Sequence, residues 1–573
     1  MNFSKELTVF LLGISFAVCA GGPAESIVRS GKTFVYSPRY QYADEPRSFA
    51  GGLPVFYRRN PEECSINSIP RADEEITELR KFTVPGENCN LYFMIHAPRK
   101  TEVKTITFGN LKNEKGDVID GKMWEVFFVE QGIRLRKPGT KAYEVIPERI
   151  KEFNGTELNA GDNLIVWIQG KPESAVPGTY RGKIDVTFPD GVRSLPLELK
   201  ILPIRVSLPE NIDYLMYANI IAQKEKRVQF VREIADLGIT GIVHHMGLNG
   251  EREVREFWDA LNQAGMKTRI NVLDYGPVLI HRTIHEVTGR PPRNPNAACY
   301  EECEEPRVMA GFMNRLSDLD RWMKLYGQPA SVWHYQGWDE PYLTSKVKQA
   351  LWETTLVRKA GIRNTATVYD ARGITEMGAY GLLTSINGTS MNNPERFREL
   401  TAIGRMLRVG FWLLGAGAYE GTQGAVAPNR HYAGLLFFKS GFPVHVSWTY
   451  NWEMDEFGQT NAFVYAMAYK RPAADKKATW STLQLEGLRE GILDYKFAAT
   501  LRGLIAEGKK RKLKEAEEAE RVLNWILEEQ TGWSGTRKLA YDAISFRTAD
   551  NEMLENLGLL MANEIMKLEK VIR

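Results

Sequence analysis

The sequence predicts a multidomain chain: an antiparallel β-sandwich over residues 21–208, a (β/α)8 TIM barrel over 209–500 and a helical region over 501–573. Three observations predict this. Period-two alternation of apolar and polar residues dominates before Pro209, short apolar strands alternate with amphipathic stripes after it, and helical periodicity alone remains beyond about residue 480.

The 573 residues suffice for several units with cores of their own. A hydrophobic share of 43% and a formal charge of +3 fit an ordinary globular protein and give no reason to expect nucleic acid as a partner. Lys5, the uncharged run Leu7 to Ala20 and the following Gly-Gly form a signal-peptide pattern over residues 1–20, so the chain is expected to be exported: periplasmic, extracellular or on the outer surface. Lipidation at Cys19 is the competing reading, for which Phe16 and Val18 are poor flanks. No later segment reads as a membrane span.

Beyond the leader stand Cys64, Cys89, Cys299 and Cys303. Cys64 with Cys89, or Cys299 with Cys303, could pair in an oxidising compartment; buried free thiols are the alternative. No metal site is expected, because the late cysteine pair has no partner pair and His281 with His285 lacks the acid of a zinc-protease motif.

In the sandwich the clearest element is a hairpin. Ile184, Val186 and Phe188 alternate with polar residues, Pro189 to Gly191 turn, and Leu195, Leu197, Leu199 and Ile201 alternate again. Similar alternation marks Leu91 to Ile95, Thr105 to Phe108 and Asn163 to Ile168. The barrel pattern starts with a strand at 213–220 and a helix from Val228 to Leu237, closed by Gly238. A strand at 241–246 and a helix bearing Val254, Phe257, Trp258 and Leu261, stopped by Gly265, repeat the unit. After a third strand at 268–275, a Pro-, Glu- and Arg-rich insertion over 277–313 is expected to shape the rim, ahead of a helix near 316–325. Later strands are expected at 332–341, 365–371, 382–388, 409–416 and 443–450. In the tail, Leu513, Ala516, Val522, Leu523 and Ile526 form a stripe, and a last helix spans 553–571.

The fourth strand, VWHYQGWDEP, delivers adjacent carboxylates, Asp339 and Glu340, into a turn closed by Pro341. Barrel catalytic groups stand at C-terminal strand ends, where this pair falls. Aromatic rings beside carboxylates suit acid/base chemistry on a sugar, since rings stack on sugar faces and a protonated acid assists the leaving oxygen. Other strand ends offer His245, Asp274, Tyr275, Tyr369 and Asn387 as sugar contacts, and Glu420 follows the seventh strand. Trp448, Tyr450 and Trp452 alternate, so they are expected on one face as a stacking wall, with Trp338 as another side.

With these residues placed, the chain resembles glycoside hydrolase family 123 and the wider group of glycosidase-like proteins of that architecture. The resemblance rests on PGTYRG (Pro177 to Gly182), on the strand ending Asp339-Glu340-Pro341, and on LEGLREGILDY (Leu485 to Tyr495). It implies hydrolysis of terminal β-linked N-acetylgalactosaminides with help from the substrate's own acetamido group. Carried onto this sequence, it makes Glu340 the general acid/base and Asp339 the group that orients the acetamide. It implies no cofactor, and a glycan as the partner. The chain departs from the pattern in its long insertion and in Gln484, where the wider group tends to have arginine. Two other readings stay open: a conventional retaining glycosidase with Glu420 as nucleophile, and a secreted carbohydrate-binding protein without turnover.

Overall fold

The computed structural model describes residues 25–29, 32–38, 47–65, 68–135, 143–245, 247–266, 268, 270–292, 300–328, 332–338, 341, 347–368, 373, 375, 383–387, 398–399, 402–403, 406, 411–415, 423–451, 466–530 and 551–573. The expected leader at residues 1–20 and Cys299 lie outside them.

Eight parallel strands form the centre: β1 (Asp213–Ala218), β2 (Gly241–His245), β3 (Asn271–Asp274), β4 (Trp333–Gln336), β5 (Arg363–Val368), β6 (Leu383–Asn387), β7 (Phe411–Gly415) and β8 (Val444–Ser447). Each pairs with the next, and β8 pairs back onto β1, so the ring closes. Leu215, Val243, Val272, Val444 and Val446 line its inside along β1, β2, β3 and β8. The outer strand faces pack against helices α1 (Arg227–Asp236), α2 (Glu251–Ala264), α3 (Val278–Thr288), α4 (Pro306–Leu325) and α5 (Val347–Lys359). Burial on both faces is why β1 reads as an apolar run rather than as alternation, whereas β4 (WHYQ) keeps polar residues on its inner face.

The stretch 277–313 is not one irregular insertion. Leu279, Ile280 and Ile284 give α3 a buried stripe, and α4 begins at Pro306, whose missing N–H costs nothing at a helix start.

Two large sheets and a two-stranded one, 101–103 with 156–158, precede the ring. The hairpin pairs residues 178–188 with 191–201 in the register that puts Ile184 opposite Leu195. Its sheet faces a second, seven-stranded one across a core that includes Phe93, Val166, Ile184 and Leu197. Most neighbours run antiparallel; residues 79–83 beside 197–201, and 36–38 beside 143–145, run parallel. Cys89 is a free thiol buried here, pushed up to about 12 by desolvation, so the Cys64–Cys89 bridge is not formed.

The far face of the seven-stranded sheet, with Tyr57, Phe127, Ile150 and Trp167, packs on Val426 and Leu483 beside the ring. Glu148 crosses this junction, its Oε1 accepting from Gln423 (2.9 Å), Tyr469 (2.5 Å) and Gln484 (3.1 Å). Gln484 also accepts from Gly424 N at 2.9 Å and donates to Ala466 O at 3.1 Å. Gln484 is therefore a hydrogen-bonded part of the junction.

The helical tail comprises α6 (Leu483–Lys510), α7 (Lys514–Trp525) and α8 (Asn551–Ile572). LEGLREGILDY lies on α6, where Gly491 lets the helix close on the segment 427–440: a Cβ there would stand 2.5 Å from Arg430 O. Among the described residues, no helix is long and apolar enough to cross a membrane.

Buried histidines give the fold an acid sensitivity. Desolvation lowers His244, His334 and His445 to about 3 and His431 to about 4. The unfolded chain binds these protons below about 6.5 and the folded chain does not, so stability falls as pH drops through that range. Glu62 and Glu353, pushed up to about 7 by burial, act in the opposite sense: their contribution is full below 4.5 and is lost as pH rises through about 7. His96 is lowered by desolvation in the same sense as these four histidines, and Asp494 is raised by desolvation in the same sense as the two carboxyls, so the histidines outnumber the carboxyls. Denaturant midpoints are expected to fall on going from pH 6.5 to 5.

Candidate active site

At the C-terminal end of the ring, β2, β3 and β4 stand in register, with His245 opposite Asp274 and Asp274 opposite Gln336. All three project to the side lined by the inner cluster. His245 Nδ1 lies 3.0 Å from Asp274 Oδ2. Asp274 also accepts the Gly276 N–H through Oδ1 at 3.2 Å, so its carboxylate is held from two sides. Side-chain exposure of 26% for His245 against 7% for Asp274 makes the histidine the group that meets the mouth and the aspartate its support. A carboxylate only accepts, so it is the His245 Nδ1–H that donates to Asp274.

Trp448 closes another side. It packs on the inner cluster, its ring edge-to-face with Tyr217 at 4.6 Å and with His245 at 5.5 Å. Tyr217, from β1, donates its hydroxyl to Gln336 Oε1 at 3.1 Å. The mouth thus joins a half-buried indole to a histidine–aspartate pair and a tyrosine–glutamine pair. That combination offers an apolar face beside convergent donors and acceptors, which is what a sugar ring requires.

His245, Asp274 and Trp448 are therefore brought together from the ends of β2 and β3 and from just past the end of β8. Tyr275, Trp338 and Tyr450 are not part of this surface. Tyr275 is buried between strands and helices, stacked on Tyr335 at 5.2 Å and donating to Leu248 O at 2.8 Å. Trp338 is buried with its ring against His281 of α3. Tyr450 packs on Phe230 of α1, its hydroxyl 2.8 Å from Thr479 Oγ1. The expected alternation fails because β8 ends at Ser447, so period two no longer governs the residues that follow.

Asn387 ends β6. Asp339, Glu340, Tyr369, Glu420 and Trp452 lie outside the described residues. Trp338, the residue before the carboxylate pair, stands just past the end of β4, at the same end of the ring as the His245–Asp274 pair. His244 faces away from His245 onto Phe257 of α2 at 5.2 Å, so the two neighbours do not converge. Tyr217 and Gln336 were missed by sequence reasoning. A tyrosine and a glutamine inside buried strands carry no local mark, and only the ring's register shows that they meet.

A scan against protein-family models finds no match, and a search of curated proteins finds none either. Among solved structures, the chain is similar to a family 123 glycoside hydrolase from Clostridium perfringens, described for glycolipid glycan hydrolysis. That similarity has a TM-score of 0.62 at 13% identity, covering 87% of this chain and 94% of that one. The two proteins share a fold over nearly their whole lengths. An endo-β-1,4-mannanase from Thermotoga petrophila matches at TM-score 0.32 and 12% identity, over 50% of this chain and 76% of its own. A β-glucuronidase from Bacteroides uniformis matches at 0.26 and 10%, over 64% and 45%. Neither of these weaker likenesses bears on the site.

Proposed function

We propose that this protein is an exported glycoside hydrolase that cleaves β-linked N-acetylhexosamine, N-acetylgalactosamine above all, by substrate-assisted acid/base catalysis on its (β/α)8 barrel. The observation that carries the reading is the convergence of His245, Asp274 and Trp448 at the end of the ring where the chain enters Asp339-Glu340. The fold shared with a family 123 glycoside hydrolase supports it.

In this mechanism the acetamido oxygen attacks the anomeric carbon and the leaving oxygen takes a proton from Glu340. Ionised Asp339 accepts the acetamide N–H and offsets positive charge on the cyclised intermediate. Glu340, now a carboxylate, then activates the water that opens it. A neighbouring anion disfavours ionisation of Glu340, which suits the acid role. His245, held by Asp274, accepts from a sugar hydroxyl through Nε2. Trp448 offers its face to the apolar side of the ring. The leader at residues 1–20 supports export.

A thiazoline mimic of the cyclised intermediate tests the route. Strong competitive inhibition is expected, whereas a double displacement through Glu420 predicts weak inhibition and covalent labelling by a fluorinated sugar. Trp448→Ala is expected to raise KM about tenfold through lost stacking, with a smaller effect on kcat. Steady-state kinetics on an aryl N-acetyl-β-galactosaminide measures both.

A further inference from the structure

Gly337 and Trp338 are the last described residues of the fourth-strand segment before Asp339, and both meet one side chain from outside the ring. Glu353, on α5, is 2% exposed. Its Oε2 accepts the Trp338 N–H at 3.3 Å, and its Oε1 accepts the hydroxyl of Tyr335 on β4. The carboxyl occupies the space where a side chain at 337 would be, since any Cβ on Gly337 would overlap Oε2 and Cδ. Glycine at 337 and glutamate at 353 are thus complementary: the missing side chain makes room for an acceptor that reaches the backbone where β4 ends.

A buried carboxyl is a costly way to fill space beside a strand, because desolvation penalises its charge. Here that penalty raises Glu353 to about 7, with the Tyr335 hydroxyl and the Trp338 N–H acting against it. Its two oxygens nevertheless go to two positions of one strand end, three residues apart in the chain, and so fix the direction in which the chain leaves β4.

We propose that Glu353 is a positioning residue for the reaction: by holding the backbone at Gly337 and Trp338 it sets where Asp339 and Glu340 stand. The inference rests on the assignment of that pair as catalytic. Glu353 does not reach the mouth, so it acts through the strand end and not on the sugar. A misplacement of the acid by about 1 Å can cost on the order of a hundredfold in rate.

The test compares Glu353→Gln, which keeps the size and can accept from Trp338 while its amide meets the Tyr335 oxygen, with Glu353→Met, which keeps the size and loses both acceptors. Glu353→Met with Tyr335→Phe removes the hydroxyl that the first change orphans, guarding against a variant that fails to fold. The full chain is assayed on nitrophenyl N-acetyl-β-galactosaminide beside Glu340→Gln. Glutamine is expected to keep kcat within about threefold, and each methionine variant to lower it about a hundredfold with KM changed less than about threefold. A folded methionine variant with the parent kcat, or a glutamine variant as damaged as methionine, overturns the proposal. Parent activity in Glu340→Gln sinks the assignment of the pair instead, so the two failures are distinguishable.

Discussion

Glu340→Gln is expected to lower kcat by about a thousandfold on a substrate whose leaving group is another sugar. An amide cannot give a proton to the departing oxygen, and it cannot take one from water in the second step. The loss depends on the leaving group. A nitrophenolate departs with little protonation, so on an aryl glycoside the first step suffers less and the fall is expected nearer a hundredfold. Binding should survive, because Trp448 and the His245–Asp274 pair remain in place. Isothermal titration of the thiazoline mimic into the variant, set beside its kinetics, separates lost chemistry from lost binding. A binding protein without turnover would show no hydrolysis even before the change.

Arg430→Ala is expected to destabilise the fold by about 3–5 kcal/mol, the cost of stripping one partner from a buried ion pair. Arg430 is 5% exposed, and its guanidinium meets Asp494 through two bonds, of 2.6 and 2.8 Å, and Glu490 through one of 2.8 Å. Removing it leaves Asp494, 1% exposed, as a carboxylate without a cation, and opens space between α6 and the segment 427–440. Both costs fall where Gly491 lets the two helical segments touch. Replacing Arg430 and Asp494 together by apolar residues of similar volume should cost much less, since desolvation of both charges is relieved at once. Urea unfolding of the single and double variants measures the difference. Equal losses would mean that the ion pair is not what holds α6 in place.

The same network runs through the stretch LEGLREGILDY on α6. Glu486 accepts from Ser481 at 2.6 Å and from Asn90, on the sandwich side, at 3.1 Å, while Glu490 and Asp494 hold Arg430. The motif ties ring, sandwich and tail together, and its residues are structural. The carboxylates proposed for chemistry lie elsewhere.

Strand and helix positions were largely legible because each leaves a local trace. Alternation marked the hairpin over 184–201, which the structure extends back to Gly178, and Gly265, at φ 75°, stops α2 where the stripe of apolar residues ran out. Which way a barrel residue points was harder to read. Tyr275 and Tyr450 read as mouth residues from their place near strand ends, but β3 stops at Asp274 and β8 at Ser447, and beyond those ends both side chains pack into the helix-side core. Tyr217 and Gln336 show the converse: they sit in β1 and β4 and meet only once the ring is closed. Glu353 was invisible for a third reason. It reads as an ordinary charged residue on an amphipathic helix, and only the strand end brought under it by the fold makes it an acceptor for Trp338.

The most direct test of the account is the ratio of kcat/KM for two nitrophenyl β-galactosides that differ only in the 2-acetamido group. If the acetamido oxygen is the nucleophile, the N-acetylated compound is hydrolysed and the plain galactoside is turned over at less than about a thousandth of its rate. Comparable turnover of both would contradict substrate assistance, and with it the roles given to Asp339 and Glu340.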